Sequence, residues 1–458
     1  MQVSKFHLAL TLCAGLVATT MALAKVPSAE ADKLGKELTC TGAVKAGNAE
    51  GNIPPFTGKI LGVPPGVQFA KSQGAFQPDI YAHEKPLFEI TAANMDKYAD
   101  KLSDGQKALL KKFPNTMRLP VYPGHRDFRY DDAICAVIKR NALEAEVISD
   151  GNGVKGYMGA IPFPIPKTGL ELFWNSMIPS RASTEDVERD MAIVGASGSV
   201  AWARTRYVQL SRYDSPENLG KPNEGKYAWV TNFTLLPARE KGNVILSIEP
   251  MDFGTDKRLA WSYDPGTRRV RQLPEFGYDQ PVPGSAGKVT LDSDRLFNGA
   301  SDRYEWELKG KRELFIPANA FRLHQQIKYA DLLHTGHPNP AYTRYELRRV
   351  WVLEGKLKPN YRHLYSKRVM FIDEDTGHAV SSDFYDVRGQ LWQHGEIHYY
   401  YAYDINRWHA GTSFYYDLNS GAYVGMNMFQ ERAKAPILGR NDLSPKQYTP
   451  EALRNMGN

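Results

Sequence analysis

Three residues in the C-terminal half have the types and spacing of metal or acid–base chemistry. His394, Glu396 and His398 alternate through a strand-like run. A period of two puts all three side chains on one face of a strand. Two imidazoles and a carboxylate make a chemically sensible zinc set. In-register neighbours on one strand stand about 7 Å apart, so a shared ion needs a bend or another donor. Polar residues on an open sheet face give the same pattern, so the three are weak metal candidates. His334 and His337 lie in a Gly/Pro loop, and His363 and His378 are isolated.

Nucleophilic chemistry has less support. Gly195-Ala196-Ser197-Gly198-Ser199 is not G-x-S-x-G, and a serine needs a neighbouring base to attack. The segment reads as a bend or bulge in a long strand. Asp373, Glu374 and Asp375 fall at a turn, where acids are ordinary solvent-facing residues. No phosphate-cradling loop or dinucleotide fingerprint occurs, so no cofactor is expected. The chain reads as a non-enzyme without catalytic residues.

Apolar binding has more candidates. Pro162, Pro164 and Pro166 alternate with Phe163 and Ile165. Proline fixes φ and removes a donor, so this run is an extended loop and not a central strand. Thr168 and Glu171 then form a capping box. Leu170, Phe173, Trp174, Met177 and Ile178 follow on one helical face, and Pro179 ends the helix. This loop and helix either close a core or form a lid over an apolar ligand. Trp202, Trp229, Phe233, Trp261, Trp306, Trp351 and Trp392 lie in strand-like runs. Each alone fits ordinary core; together they offer a surplus of aromatic surface for a ligand. The ligand-binding candidates are Phe163, Ile165, Leu170, Phe173, Trp174, Met177, Trp202, Trp229, Phe233, Trp261 and Trp392.

The N-terminus reads as a secretory leader. Lys5 is its positive end, Phe6 to Met21 is mostly apolar, and Ala22-Leu23-Ala24 is a cleavage site. The apolar run is too short for a membrane span, and Leu12 before Cys13 argues against lipidation. Cleavage after Ala24 predicts a soluble, exported chain from Lys25, most simply in a bacterial periplasm. Cys40 and Cys135 then remain, and in an oxidising compartment they are expected to pair. The net charge of +6 is spread over interleaved acids and bases, with no basic patch for nucleic acid.

These groups must be positioned by two textures of chain. Helices are predicted from Ser28 (as N-cap) to about Leu38, over Ala92–Leu102, after a Ser103/Gln106 capping box, and over Asp131–Glu146. Gly42–Gln77 is a connector. From about Asp190, β-branched and aromatic residues alternate with polar ones between turn signals. These turns are Asp264-Pro265-Gly266, Asp373–Gly377, Asp386–Gly389 and Leu418–Gly421. Arg344–Glu354 has apolar residues on both faces, with Val350 and Val352 opposite Leu347 and Trp351. Frequent turns without helices predict an antiparallel meander. The expected fold is a β-rich α+β single domain. Residues 25–189 form a helical and loop cover, 190–443 the meander, and 444–458 a C-terminal helix and tail. So many strands curl towards an unclosed barrel.

Several long runs resemble a known family. They are LTCTGAVKAGNAEGNIPPFTG, GNGVKG with PFPIPKTGLELFWN, FGYDQPVPGSAG with RLFNGASDRYEWELKGKRELFIP, YELRRVWVLEGKLKPNYRHLYSKRVMFIDEDTG, and YDVRGQLWQHGEIH. Together they resemble domain of unknown function 1329, exported proteobacterial proteins, across Lys25–Asn458. The family usually has proline where Cys40 stands and no cysteine near Cys135, and the joint departure supports the pairing. The resemblance implies an unclosed antiparallel barrel with helices as a lid, like that of the periplasmic lipoprotein carriers. Members are often encoded beside an RND-type exporter and an outer-membrane-associated partner. That implies a part in moving lipid or another hydrophobic molecule across the periplasm, and supplies no catalytic residues. A ligand-free adaptor of such an exporter, or a lipid-acting hydrolase or metalloenzyme, are the alternatives.

Overall fold

The computed structural model describes residues 26–222 and 225–456. The predicted leader, Met1–Ala24, lies outside the described residues. Four short strands come first: β1 (Phe88–Ile90), β2 (Leu119–Val121), β3 (Glu146–Ile148) and β4 (Gly153–Lys155). A first meander contains β5 (Thr184–Val194), β6 (Val200–Ser211), β7 (Lys226–Leu236), β8 (Val244–Pro250), β9 (Leu259–Asp264) and β10 (Arg269–Gln272). The long β11 (Tyr304–Pro317) leads into β12 (Tyr345–Leu357), β13 (Lys367–Asp373), β14 (Ala379–Tyr385), β15 (Leu391–Ala402), β16 (Arg407–Asp417) and β17 (Tyr423–Met428). A two-residue β18 (Ile437–Leu438) follows.

Hydrogen bonds join these strands in the order β1-β2-β12-β13-β14-β15-β16-β17-β5-β6-β7-β8-β9-β10, with β11 beside β12 and β18 beside β5. The two meanders are thus sutured where β17 pairs antiparallel with β5. The path has two free ends, so the curved sheet is not closed into a barrel, as expected. The four turn signals fall between β9 and β10, β13 and β14, β14 and β15, and β16 and β17. Gly195–Ser199 departs from its expected role. It is the tight turn between β5 and β6, closed by the Gly195 N–H on the Ser199 carbonyl at 2.8 Å. The sheet also starts earlier than expected, at Thr184, and recruits β1 and β2 from the cover segment.

The helices are short and capped. Both capping boxes form. Ser103 opens α2 (Asp104–Lys112), after α1 (Ser28–Ala31). Asp131 caps α3 (Asp132–Glu144), and Thr168 with Glu171 caps α4 (Gly169–Met177). Two more follow, α5 (Tyr329–Leu332) and α6 (Pro450–Met456). The first helix is a single turn in which Ser28 is not the cap; Pro27 holds that place and offers no side-chain acceptor. The Ala92–Leu102 expectation became a 3-10 helix, Met95–Lys101, with Tyr98 off helical geometry. Short apolar spacing satisfied by one or two turns cannot separate these forms.

Three apolar clusters hold the sheet. The largest joins α3, α4 and the Tyr157–Phe163 loop to residues of β12–β17, including Val350, Val352, Met370 and Phe371. The second packs α2 and β1–β2 onto other residues of β12, β16 and β17, including Leu347, Phe414 and Tyr416. The second meander is therefore covered on both faces. The third lies under α6, where Tyr448 and Leu453 meet Leu210, Trp229, Leu246 and Tyr263 of β6–β9. Cys40 and Cys135 are bonded, with Cα atoms 5.2 Å apart, and tie the N-terminal segment to α3.

Candidate binding cavity

Strand register decides which side chains face inward on the first meander. Arg189 of β5 pairs with Thr205 of β6, and Met191 with Ala203. Across β6 and β7, Tyr207 pairs with Asn232 and Gln209 with Val230. Val230 pairs in turn with Ser247, and Asn232 with Ile245. Cross-strand partners share a face, so these residues form one concave surface. A cavity of about 170 Å³, open to solvent on one side, lies on that surface.

The rest of the wall comes from elsewhere in the chain. The C-terminal end of α4 contributes Ser176 and Met177, and β17 contributes Met426. The Phe276–Asn298 loop covers the sheet with Phe276, Val282, Leu291, Arg295 and Phe297. This cover is internally braced. Val282 N–H bonds the Val289 carbonyl at 2.9 Å, and Leu291 N–H bonds the Gln280 carbonyl at 2.7 Å. Asp292 anchors it through the buried Arg368, Nη2 to Oδ2 at 2.5 Å, and through His363 at 2.9 Å. Gly284 touches the sheet directly; a Cβ there would lie 2.9 Å from Ala203 Cβ. Its φ of +84° is also unfavourable for other residues.

The wall is amphipathic. Met177, Met191, Val230, Ile245, Phe276 and Phe297 give it apolar area, while Arg181, Arg189 and Arg295 bring guanidinium groups. Arg189 stacks over the Tyr207 ring at 3.9 Å from its centroid. Its Nη1 and Nη2 donate to Asn427 Oδ1 at 2.7 Å and Asn232 Oδ1 at 3.2 Å. Arg295 Nη2 donates to Gln209 Oε1 at 2.8 Å and the Tyr207 hydroxyl at 3.1 Å. Arg181 Nη2 donates to the Met177 carbonyl at 2.7 Å. Burial lowers the Arg181 guanidinium from its usual range, and the like charge of Arg295 lowers it further.

The sequence-predicted binding residues scatter around this cavity. Met177 lines it. Phe173 is one layer behind, its ring 5.1 Å from Phe297 and 4.6 Å from Trp306. Trp174 is fully buried, and its Nε1 donates to the Gly151 carbonyl at 2.9 Å. Phe163 joins the main core, its N–H held by Asn175 Oδ1 at 2.9 Å. Ile165 packs with Ala31, Leu34 and Ala142, and Leu170 lies close against Gly151. The α4 helix is thus core, with its last turn in the cavity wall.

The strand aromatics point the other way. Leu210 pairs with Trp229, Arg206 with Phe233, and Leu246 with Trp261. Trp229, Phe233 and Trp261 sit with the α6 cluster on the convex face. Trp202 stacks on Tyr329 at 5.1 Å and is 37% exposed. Trp392 lies against Tyr365, centroids 5.6 Å apart. Alternation makes an error of one residue an error of face. The inward residues, Thr205, Tyr207, Gln209, Val230 and Asn232, are mostly polar or small, and aromatic content gave no sign of them. The covering loop did carry a signal, because FGYDQPVPGSAG and RLFN are among the runs behind the family resemblance.

The acid–base candidates are buried beneath α2, not exposed on an open face. His394 Nδ1 is 2.6 Å from Asp383 Oδ1, and its Nε2 is 3.3 Å from Glu396 Oε1. Burial opposes its charge, but the two carboxylates win and raise its pKa to about 9. Glu396 also accepts from Tyr345 at 2.8 Å and Gln106 at 3.2 Å. His398 lacks a hydrogen-bond partner on either nitrogen, and burial lowers its pKa to about 4. Among the described residues, no group of three or more His, Cys, Asp or Glu could hold a metal ion.

The Asp373–Asp375 turn is likewise buried rather than solvated. Asp375 meets Arg126 Nη2 at 2.7 Å and Arg348 Nη1 at 2.8 Å; Glu374 meets Lys311 at 2.6 Å. The turn is clamped because the N-terminal segment crosses it, with Thr41 Oγ1 donating to the Asp375 carbonyl at 3.1 Å.

Residues 89–454 match the family described as "Protein of unknown function (DUF1329)". The chain belongs to the DUF1329 family. An uncharacterized protein of Pseudomonas aeruginosa, PA3922, is 40% identical to this DUF1329 chain over 445 residues, covering 96% of it and 95% of the relative. Among solved structures, a DUF1329 family protein from Desulfovibrio piger gives a TM-score of 0.42 at 14% identity, over 62% of this chain and 95% of its own. A LolA superfamily protein from Nitrosomonas europaea gives 0.36 at 14%, over 62% and 98%. Structural likeness at that level is too low to support inference. No helix among the described residues of the DUF1329 chain is long and apolar enough to cross a membrane.

Proposed function

We propose that this chain is a periplasmic carrier or chaperone for a lipid or other hydrophobic molecule, working with an envelope transport system. The observation that carries the reading is the cavity between the β5–β8 face and the Phe276–Asn298 loop. An adaptor without a ligand would have that space filled by its own side chains. Transfer of apolar area out of water supplies the affinity, about 0.8 kcal/mol for each methylene buried, before the costs of association. The leader-like N-terminus and the disulfide support an oxidising compartment. The family resemblance extends the proposal to an inner-membrane RND-type exporter as partner.

The hydrolase reading fares worse. His394, Asp383 and Glu396 are sealed from substrate, and a general base must reach the proton it takes.

Mass spectrometry of lipid extracts from protein purified out of its own cell envelope is the test. A bound apolar molecule in near-stoichiometric amount is the expected result. Extracts empty of such a molecule, together with no binding of N-phenyl-1-naphthylamine, would overturn the proposal.

A further inference from the structure

We propose that the cavity selects an amphiphile with an anionic headgroup, a carboxylate or phosphate, held by Arg181, Arg189 and Arg295. The inference rests on the carrier reading above and specifies its ligand. Four guanidinium groups line one cavity; Arg258 is paired with Glu249, and the other three have no carboxylate within ion-pair distance among the described residues. They are held by neutral acceptors instead: Asn427 and Asn232 for Arg189, Gln209 and Tyr207 for Arg295, and the Met177 carbonyl for Arg181. Arg189 and Arg295 both engage Tyr207, one on its ring face and one at its hydroxyl. The side chains are thereby oriented without a direct ion pair.

None of the neighbouring acids is in ion-pair contact with Arg181, Arg189 or Arg295, although the carboxylates of Asp294 and Glu185 favour the charge of Arg295 from a distance. Asp190 pairs with Arg204 at 2.6 Å and Arg432 at 2.9 Å. Glu249 pairs with Arg258 at 2.7 Å, and Glu240 meets Arg239 at 3.2 Å. Asp214 lies 3.6 Å from Arg407; Glu185 lies 3.6 Å from His409, whose charged form burial disfavours. Asp294 alone is left unpaired in the wall, against three guanidiniums. Partly desolvated cationic groups are costly without an anion, and charge-assisted bonds to a carboxylate or phosphate are among the strongest available to arginine.

The backbone supports the same assignment. Arg295 and Leu296 have φ values of +54° and +70°. Two successive non-glycine residues in the left-handed region are strained, and such strain persists where surrounding structure enforces it. Here it turns Arg295 towards Tyr207 and Gln209 while Leu296 and Phe297 enter the core. Apolar lining on the same cavity, from Met177, Met191 and Ile245, is the place for the tail.

The test is competition against N-phenyl-1-naphthylamine by dodecanoate, dodecyl phosphate, 1-dodecanol and inorganic phosphate. It uses the wild type and the Arg189→Gln and Arg295→Gln variants, with circular dichroism as a folding control. We expect one or both of the anionic detergents to bind at least about tenfold tighter than the alcohol. The stronger of the two identifies the headgroup class. Each folded variant should lose about tenfold of that preference while its affinity for 1-dodecanol stays unchanged. Equal affinity for the alcohol and both anions would overturn the headgroup assignment and leave the carrier reading standing. Inorganic phosphate binding as tightly as dodecyl phosphate would overturn it too, as would variants that lose alcohol and anions alike. Failure of every apolar probe would overturn both.

Discussion

The two meanders treat their faces differently. Strands β12–β17 are covered on both sides, by α3, α4 and loops in one cluster and by α2 with β1–β2 in another. Strands β6–β9 are covered by α6 on the convex side, while the concave side borders a cavity. The filled half tolerates charge only inside closed networks, such as Arg348 between Glu346 at 2.9 Å and Asp375 at 2.8 Å. The open half keeps Arg181, Arg189 and Arg295 on neutral acceptors instead of carboxylates. One half is organised as a filled scaffold and the other around a cavity, the receptacle of the carrier proposal, and variants in the two halves should respond in opposite ways.

The largest effect should come from the brace of the filled half. Replacing Cys40 and Cys135 by serine opens a loop of sequence separation 95, which the chain-entropy account values at about 4–5 kcal/mol. Urea unfolding should show the loss, with probe affinity in the still-folded protein unchanged. Phe173→Ala comes next. It removes a ring that is fully buried against Phe297 and Trp306 and should cost about 3–4 kcal/mol by the same measurement. If Phe173→Ala instead left stability intact and altered probe exchange rates, α4 would be a lid and the contrast would fail.

The third effect depends on pH. The pKa of His394 is raised to about 9 between Asp383 and Glu396, so its charged form stabilises the fold. That stabilisation is complete below an unfolded pKa near 6.5 and is lost as pH rises through about 9. The loss is on the order of 3 kcal/mol. Unfolding free energies measured from pH 6 to 10 should fall accordingly, and His394→Gln should remove that part of the slope. The smallest stability effect belongs to the open half. Val230 lines the cavity, and Val230→Phe should change stability by less than about 1 kcal/mol while abolishing probe binding. A large destabilisation there would mean that the receptacle is packed like the scaffold.

Much of the scaffold was legible in the chain. Capping boxes, turn dipeptides and the two-sided apolar pattern of β12 are local signals, and each formed as read. The receptacle was not legible in the same way. Its lining alternates with the aromatics named in the sequence analysis, so Trp229 and Phe233 lie on a cavity strand but on the opposite face. Sheet curvature decides which face is concave, and no local pattern encodes it. The buried acids at Asp373–Asp375 were misread for a related reason. A turn is solvent-facing only if nothing crosses it, and the crossing segment lies more than 330 residues earlier.

An unclosed sheet keeps unpaired rims; the long β11 is one, since it pairs only with β12, and the two ends of the strand order are others. One end is β1, three residues long. The other is β10, a four-residue strand whose Arg269 and Arg271 are exposed. A border that is short and cationic, as β10 is, makes a poor template for strand addition. The molecule can therefore keep the gap that an incomplete barrel requires without offering that border to a neighbouring copy. Substituting threonine or valine for the two arginines would remove that protection and make β10 a better border for strand addition by another chain.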